Sequence, residues 1–152
     1  MLYSNPACAS AGVVVNAGGE VLLVRRRLEP FRGSWALPAG YQEMDEEPTD
    51  TVRREVFEEA GLRVRVEGLL DLLFVEDPRK PANVAVYLCS VVEGTPHPGD
   101  EESAARFFPL DALPEPIGFD NYERILRRLD GSEGYPDPTW EILGRMLGRK
   151  AT

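Results

Sequence analysis

Three carboxylates stand in the pattern E-x-x-E-E within the stretch R-R-E-V-F-E-E-A-G-L: Glu55, Glu58 and Glu59. On a helix they fall at relative angles of about 0°, 300° and 40°, so they share one face. Like charges one turn apart repel each other, and something has to compensate. The neighbouring Arg53 and Arg54 relieve part of the repulsion if the face is simply solvated. The sharper chemistry is a divalent cation. Mg²⁺ is a hard ion that takes oxygen ligands, and three carboxylates plus a backbone carbonyl from a nearby loop begin such a shell. The helix by itself leaves both readings open.

The surrounding elements must hold that face in place. Pro48 suits the first turn of a helix, where its missing N–H costs nothing, and Gly61 supplies the stop, so the helix is expected from Pro48 to about Ala60. Val52, Val56, Ala60 and Phe57 form an apolar arc expected to pack on a sheet. Upstream, Ala7–Asn16 and Glu20–Arg26 read as two strands joined through N-A-G-G. Trp35–Leu37 reads as a short strand, and Gly40–Glu47 as a loop. Downstream, Arg63–Val75 predicts one or two strands, Val84–Val92 a buried strand and Ala104–Phe108 a short one. Tyr122–Leu129 and Thr139–Leu147, the latter opened by Pro138, predict helices. This succession argues for an α/β domain with a mixed sheet.

The pattern around the helix is more specific. Gly40, five residues, Glu46, seven residues, Arg54-Glu55, Val56, one residue, Glu58-Glu59, one residue, Gly61 and Leu62 together resemble the complete signature of the Nudix hydrolases. W-A-L-P-A-G before it, V-L-L-V-R-R upstream and A-R-F-F-P-L-D-A-L-P downstream also look like the family, so the resemblance spans about Ala9 to Pro114. It implies a Nudix-type α/β/α sandwich with a mixed β-sheet, and a single domain over residues 1–152. It also implies hydrolysis of a nucleoside diphosphate linked to another group, with Mg²⁺ or Mn²⁺. Mapped onto this chain, it makes Glu55, Glu58 and Glu59 metal ligands, with the carbonyl of Ala39 beside them. Either Glu55 or a carboxylate from a distant loop would handle the attacking water. Arg54 would fix a helix carboxylate, and Glu46 would support the loop or the metal's water shell. Glu102, six residues before Phe108, is the family-like candidate for a base or extra ligand, with Glu101 its neighbouring alternative. The chemistry is coherent: cations neutralise pyrophosphate oxygens and stabilise the leaving phosphate, while a carboxylate acts as base.

Substrate contacts are less specific in the sequence. Arg27, with Arg25 and Arg26, is a candidate to grip a phosphate. Trp35 or Phe31 is a candidate to stack on a base, Arg79 in E-D-P-R-K to line the substrate mouth, and Asp120 or Asn121 to cap a helix or touch substrate. The tail P-L-D-A-L-P-E-P-I-G-F-D-N-Y loosely resembles relatives acting on ADP-ribose-like, dinucleotide or sugar-nucleotide substrates. A nucleoside triphosphate pyrophosphohydrolase is the alternative, and a ligand-binding module without hydrolysis a further one. An allylic diphosphate isomerase would need a cysteine near the site, and Cys89 sits in a strand that reads as buried.

The net charge of −9 disfavours nucleic acid and anionic membrane as partners, which also argues against decapping of messenger RNA. The partner expected is a small-molecule nucleotide, with a homodimer left open. Cys8 and Cys89 lack metal or redox spacing and read as reduced thiols. The start M-L-Y-S-N-P-A-C-A-S-A-G has neither a basic opening nor a long apolar run. No signal peptide or membrane span is expected, and the expected location is the cytoplasm.

Overall fold

The computed structural model describes residues 5–76 and 80–149. Its centre is built from strands buried on both faces. In β1 (Ala7–Val15) and β2 (Val21–Arg26), Val13, Val15, Val21 and Leu23 face one core, while Val14, Leu22 and Val24 face the other. A strand covered on both sides reads as a continuous apolar run, which is why V-V-V and V-L-L-V carry no polar alternation. Asn16 closes the turn between them. Its Oδ1 accepts from the N–H groups of Gly18 and Glu20 at 3.1 and 2.8 Å, and Gly19 adopts φ of 74°.

The strands β3 (Trp35–Ala36), β4 (Ala39–Tyr41), β5 (Arg63–Val75), β6 (Ala82–Glu93) and β7 (Glu102–Phe108) complete a seven-stranded sheet. Its order is β3-β2-β1-β6-β5, with β4 added to β1 and β7 to β2. β1 and β6 run parallel and the other pairs antiparallel, so the sheet is mixed. Helix α1 (Pro48–Ala60) covers one face through Val52, Val56 and Ala60. Helices α2 (Asp120–Arg128) and α3 (Pro138–Met146) cover the other through Ile125, Leu126, Trp140 and Leu143. The result is the α/β/α sandwich expected. Trp140 locks α3 to the sheet by donating its indole N–H to the Leu70 carbonyl at 2.9 Å. Among the described residues no helix is long and apolar enough to cross a membrane.

Three details depart from the sequence reading. Ala39–Tyr41, inside or beside the stretch read as a loop, pairs with β1 as a strand. Strand β7 begins at Glu102 rather than Ala104. Phe57 does not join the apolar arc: it is 48% exposed, with the Arg63 guanidinium 5.0 Å from its ring centre. The physical reason is angular. Phe57 lies about 100° round the helix from Val56, past the edge of the stripe that meets the sheet.

Candidate active site

Helix α1 is fixed at both ends before its side chains act. Pro48 occupies its first turn and the Glu47 N–H donates to Asp50 Oδ2 at 3.0 Å. Gly61 ends it in the left-handed conformation, φ 71°, and donates to the Phe57 carbonyl at 2.8 Å. Along its cleft-facing side, Arg54 is the hub. Its guanidinium donates to both oxygens of Glu46 at 2.7 and 2.9 Å, to Glu55 Oε1 at 2.6 Å, to Glu58 Oε2 at 3.2 Å and to the Tyr41 carbonyl at 3.0 Å. A planar fork with five donors suits this many acceptors. Glu46 also accepts from Thr51 Oγ1 and the Glu43 N–H, both at 3.0 Å. Its carboxyl is held down at about 2, first by the Arg54 hydrogen bond. Glu46 thus braces the loop before α1.

Strand β4 presents its backbone to the helix. Pairing with β1 uses Gly12 N–H to Pro38 O at 3.0 Å and Gln42 N–H to Cys8 O at 2.9 Å, with Ser10 opposite Gly40. Antiparallel alternation therefore turns the backbone groups of Ala39 away from β1. Its N–H goes instead to Glu59 Oε2 at 2.9 Å, and its carbonyl shares that side. Gly40 must be bare for a specific reason: a Cβ there would lie 2.2 Å from the Glu55 carboxyl carbon.

Glu102 reaches the same cleft through a β-bulge. Arg25 pairs with Ala104 but Arg26 with Glu102, leaving Ser103 as the extra residue. Ala105 and Phe107 face α1, while Ala104 and Phe108 face the opposite core. Unbroken alternation would aim Ser103 at α1; the bulge aims Glu102 there instead. Glu102 is buried and lines one cleft of about 550 Å³ with Glu55, Glu58, Glu59, Ala39, Gly40 and Arg26.

Burial dominates the electrostatics. It pushes Glu59 well above the ordinary carboxylate range, with Glu55 and Glu102 adding repulsion. It pushes Glu55 up as well, against the pull of Arg54, and Glu102 up to about 7. Among the described residues no three His, Cys, Asp or Glu side chains already converge as a formed metal shell. Arg54 draws Glu55 and Glu58 to itself, and Glu59 is tied to Ala39. The donor set nevertheless fits a hard divalent ion: oxygen only, with Glu55 and Glu59 partly buried, Glu58 exposed at the rim, and a single guanidinium, Arg54, set against the helix carboxylates. Glu55, Glu58, Glu59 and the Ala39 carbonyl are the groups that could hold it.

The structure distributes the other candidates unevenly. Arg26, rather than Arg27, lines the cleft, with its guanidinium 5.3 Å over the Phe119 ring. Arg27 Nη1 donates to the Asp100 carbonyl at 3.1 Å. Trp35 is buried, edge-on to Phe108 at 4.9 Å, so it packs the core and has no free face for a base. Phe31 is 43% exposed and edge-on to Phe119 at 4.7 Å. Arg79 lies outside the described residues. Asn121 donates to the Phe74 carbonyl and Phe119, not Asp120, is the α2 cap residue. Cys89 is buried in the core under α1, its thiol pushed up to about 12 by burial, and is unfit as a nucleophile.

A second feature had no sequence signal. A small apolar pocket of about 80 Å³ shares Arg26, Ala39, Gly40, Tyr41 and Glu59 with the acidic cleft. It shares Val75 and Phe119 with an outer cleft of about 430 Å³ that Phe31 and Phe74 also line. Phe31 and Phe119 both have positive φ, 62° and 64°. Such strain is uncommon for an aromatic residue and gathers at ligand sites.

The NUDIX domain family model matches residues 6–129. An ADP-ribose pyrophosphatase of Methanocaldococcus jannaschii is 36% identical over 128 residues, 83% of this chain and 74% of that protein. A NUDIX hydrolase from Nitrosomonas europaea superposes with a TM-score of 0.77 at 26% identity, covering 99% of this chain and 77% of that one. An ADP-ribose pyrophosphatase from Streptococcus suis superposes with a TM-score of 0.67 at 28% identity, covering 85% of this chain and 95% of that one.

Proposed function

The chain belongs to the Nudix hydrolases and is a diphosphatase, and from that premise we propose that its substrate is an ADP-ribose-like nucleoside diphosphate linked to a second group. The observation that carries this reading is the succession of hollows. The acidic cleft and the apolar pocket share the walls Arg26, Ala39, Gly40, Tyr41 and Glu59, and that pocket shares Val75 and Phe119 with the cleft lined by Phe31 and Phe74. A diphosphate bridging two bulky groups fits such a path, with its charge among the carboxylates and a planar ring against the aromatic walls. The ADP-ribose pyrophosphatases among the relatives support the same class.

Each residue then has a task. Glu55, Glu58, Glu59 and the Ala39 carbonyl would hold a divalent cation, Mg²⁺ or Mn²⁺, which would supply neutralisation of the diphosphate oxygens and of the leaving phosphate. Arg54 keeps Glu55 and Glu58 in register. Arg26, the cation of the cleft wall, grips a phosphate oxygen where cleft and pocket meet. Glu102, on the opposite wall from the helix, takes the proton of the attacking water.

The test is a substrate panel with Mg²⁺: ADP-ribose, a dinucleotide and a UDP-sugar against nucleoside triphosphates, with products identified. The expected result is AMP plus ribose 5-phosphate from ADP-ribose, with a kcat/KM at least tenfold above any triphosphate. The double variant Glu58→Gln, Glu59→Gln is expected to lose this turnover while staying folded. Faster release of pyrophosphate from triphosphates would assign the other substrate class, and undiminished cleavage by the double variant would remove the acidic helix from the reaction.

A further inference from the structure

The segment between β6 and β7 lies across the C-terminus of α1, and the contact is made by backbone. The last carbonyls of a helix lack intrahelical partners. Here the His97 N–H donates to the Ala60 carbonyl at 3.0 Å and the Gly99 N–H to the Glu59 carbonyl at 3.1 Å. The Gly99 carbonyl in turn accepts from the Glu102 N–H at 3.3 Å. Two successive hydrogen bonds therefore join the backbone of Glu59 to that of Glu102. From the other side the loop is held by Arg27, whose N–H donates to the Glu101 carbonyl at 3.0 Å and whose guanidinium donates to the Asp100 carbonyl at 3.1 Å.

The approach is closer than any side chain permits. A Cβ at Gly99 would lie 2.1 Å from the Glu58 carbonyl oxygen and 3.0 Å from Glu102 Oε1. The first neighbour is helix backbone and cannot swing away, so the loop would have to move. Gly99 itself lies outside the left-handed region, so an alanine there meets this contact and no intrinsic strain. Gly61 is a poorer probe, since its φ of 71° and its contact with the His97 ring would act together.

We propose that Gly99 is a positioning residue for the reaction: its bare Cα lets the β6–β7 loop seat on the end of α1, and that seating holds Glu102 opposite the helix carboxylates. The proposal rests on the reading of Glu102 as a participant in the reaction. The bulge at Ser103 decides which face Glu102 takes, and the seat at Gly99 decides how far it stands from Glu55 and Glu59. A displacement of about 1 Å in such a group costs on the order of 100-fold in rate.

The test combines a double-mutant cycle with amide exchange. Gly99→Ala, Glu102→Gln and the double variant are assayed on ADP-ribose with Mg²⁺. Gly99→Ala is expected to lower kcat at least tenfold with KM within twofold, and to lower it less than twofold further in the Glu102→Gln background. In the metal-free wild-type protein, the His97 and Gly99 amides are expected to be protected from hydrogen exchange to the level of the last turn of α1. In Gly99→Ala the His97 amide is expected to exchange at least tenfold faster, with core amides such as Leu88 unchanged. Full turnover by Gly99→Ala, or the same loss in both backgrounds, overturns the proposal while leaving Glu102 in place. Unprotected His97 and Gly99 amides in the wild type overturn it even if the variant does not fold. If Glu102→Gln alone keeps full turnover, the role of Glu102 fails, and this proposal with it.

Discussion

Replacing Glu102 by Gln is expected to stabilise the metal-free protein at pH 8 while slowing it as an enzyme. Burial, then Glu101, pushes the Glu102 carboxyl from the ordinary 4.5 up to about 7. The folded state therefore binds this proton more tightly than the unfolded chain, and stability falls as pH rises between those two values. The cost is absent below about 4.5 and complete above about 7. A gap from 4.5 to about 7 corresponds to about 3.4 kcal/mol. Glu102 borders an open cleft, so solvent screening reduces this to about 1–2 kcal/mol. For a chain of this size that raises the Tm by about 2–8 °C. The assay is thermal or urea unfolding in EDTA at pH 8 and pH 5, where only about half of the gain should remain. Under saturating Mg²⁺ the gain should shrink or reverse, because the wild type has one more carboxylate to offer a bound cation. Turnover of ADP-ribose should fall by about 10²–10⁴. A variant less stable than the wild type at pH 8 in EDTA, or equally shifted at both pH values, would refute the claim that an ionised Glu102 is costly in this fold.

Gly40→Ala is expected to force the Glu55 carboxylate out of the space it fills, since the new Cβ would lie 2.2 Å from the carboxyl carbon. A loss of about 100-fold in kcat/KM and weaker Mg²⁺ binding by calorimetry are expected, with the Tm in EDTA nearly unchanged because a side chain, not backbone, gives way. Arg54→Lys keeps the charge but cannot fork onto Glu46 and still reach Glu55 and Glu58. It is expected to lower kcat at least tenfold and the Tm by about 2–4 °C, with both read on the same preparation.

Much of this site was legible because its logic is local. The helix limits follow from Pro48 and Gly61, and E-x-x-E-E places three carboxylates on one face whatever the rest of the chain does. The strands around them are legible as apolar runs, because both faces of the sheet are covered. What was not legible depends on partners far away in sequence. Whether Glu102 points at α1 depends on its register against Arg26, and a bulge at Ser103 reverses the side that alternation alone would assign. Arg26, Arg25 and Arg27 look alike in sequence, and only the packing of Phe119 and of the Asp100 loop separates them. The positive φ of Phe31 and Phe119 has no glycine to announce it.

The compensation for the acidic face is divided in the same way. Part of it is local and fixed: Arg54 takes Glu46, Glu55 and Glu58 on one guanidinium. Arg54 is already committed to those carboxylates and cannot also serve Glu59 and Glu102. Burial raises both of these groups, and they repel each other. A fold selected only for stability would place a neutral side chain at one of these positions, since an unpaired buried carboxylate costs more than its replacement. Two such groups held face to face, one by the Ala39 N–H and the other by a bulge and a seated loop, make sense where a ligand brings the missing positive charge. The local conflict in the sequence is thus a marker of function, and its resolution lies in the cleft between α1 and β7.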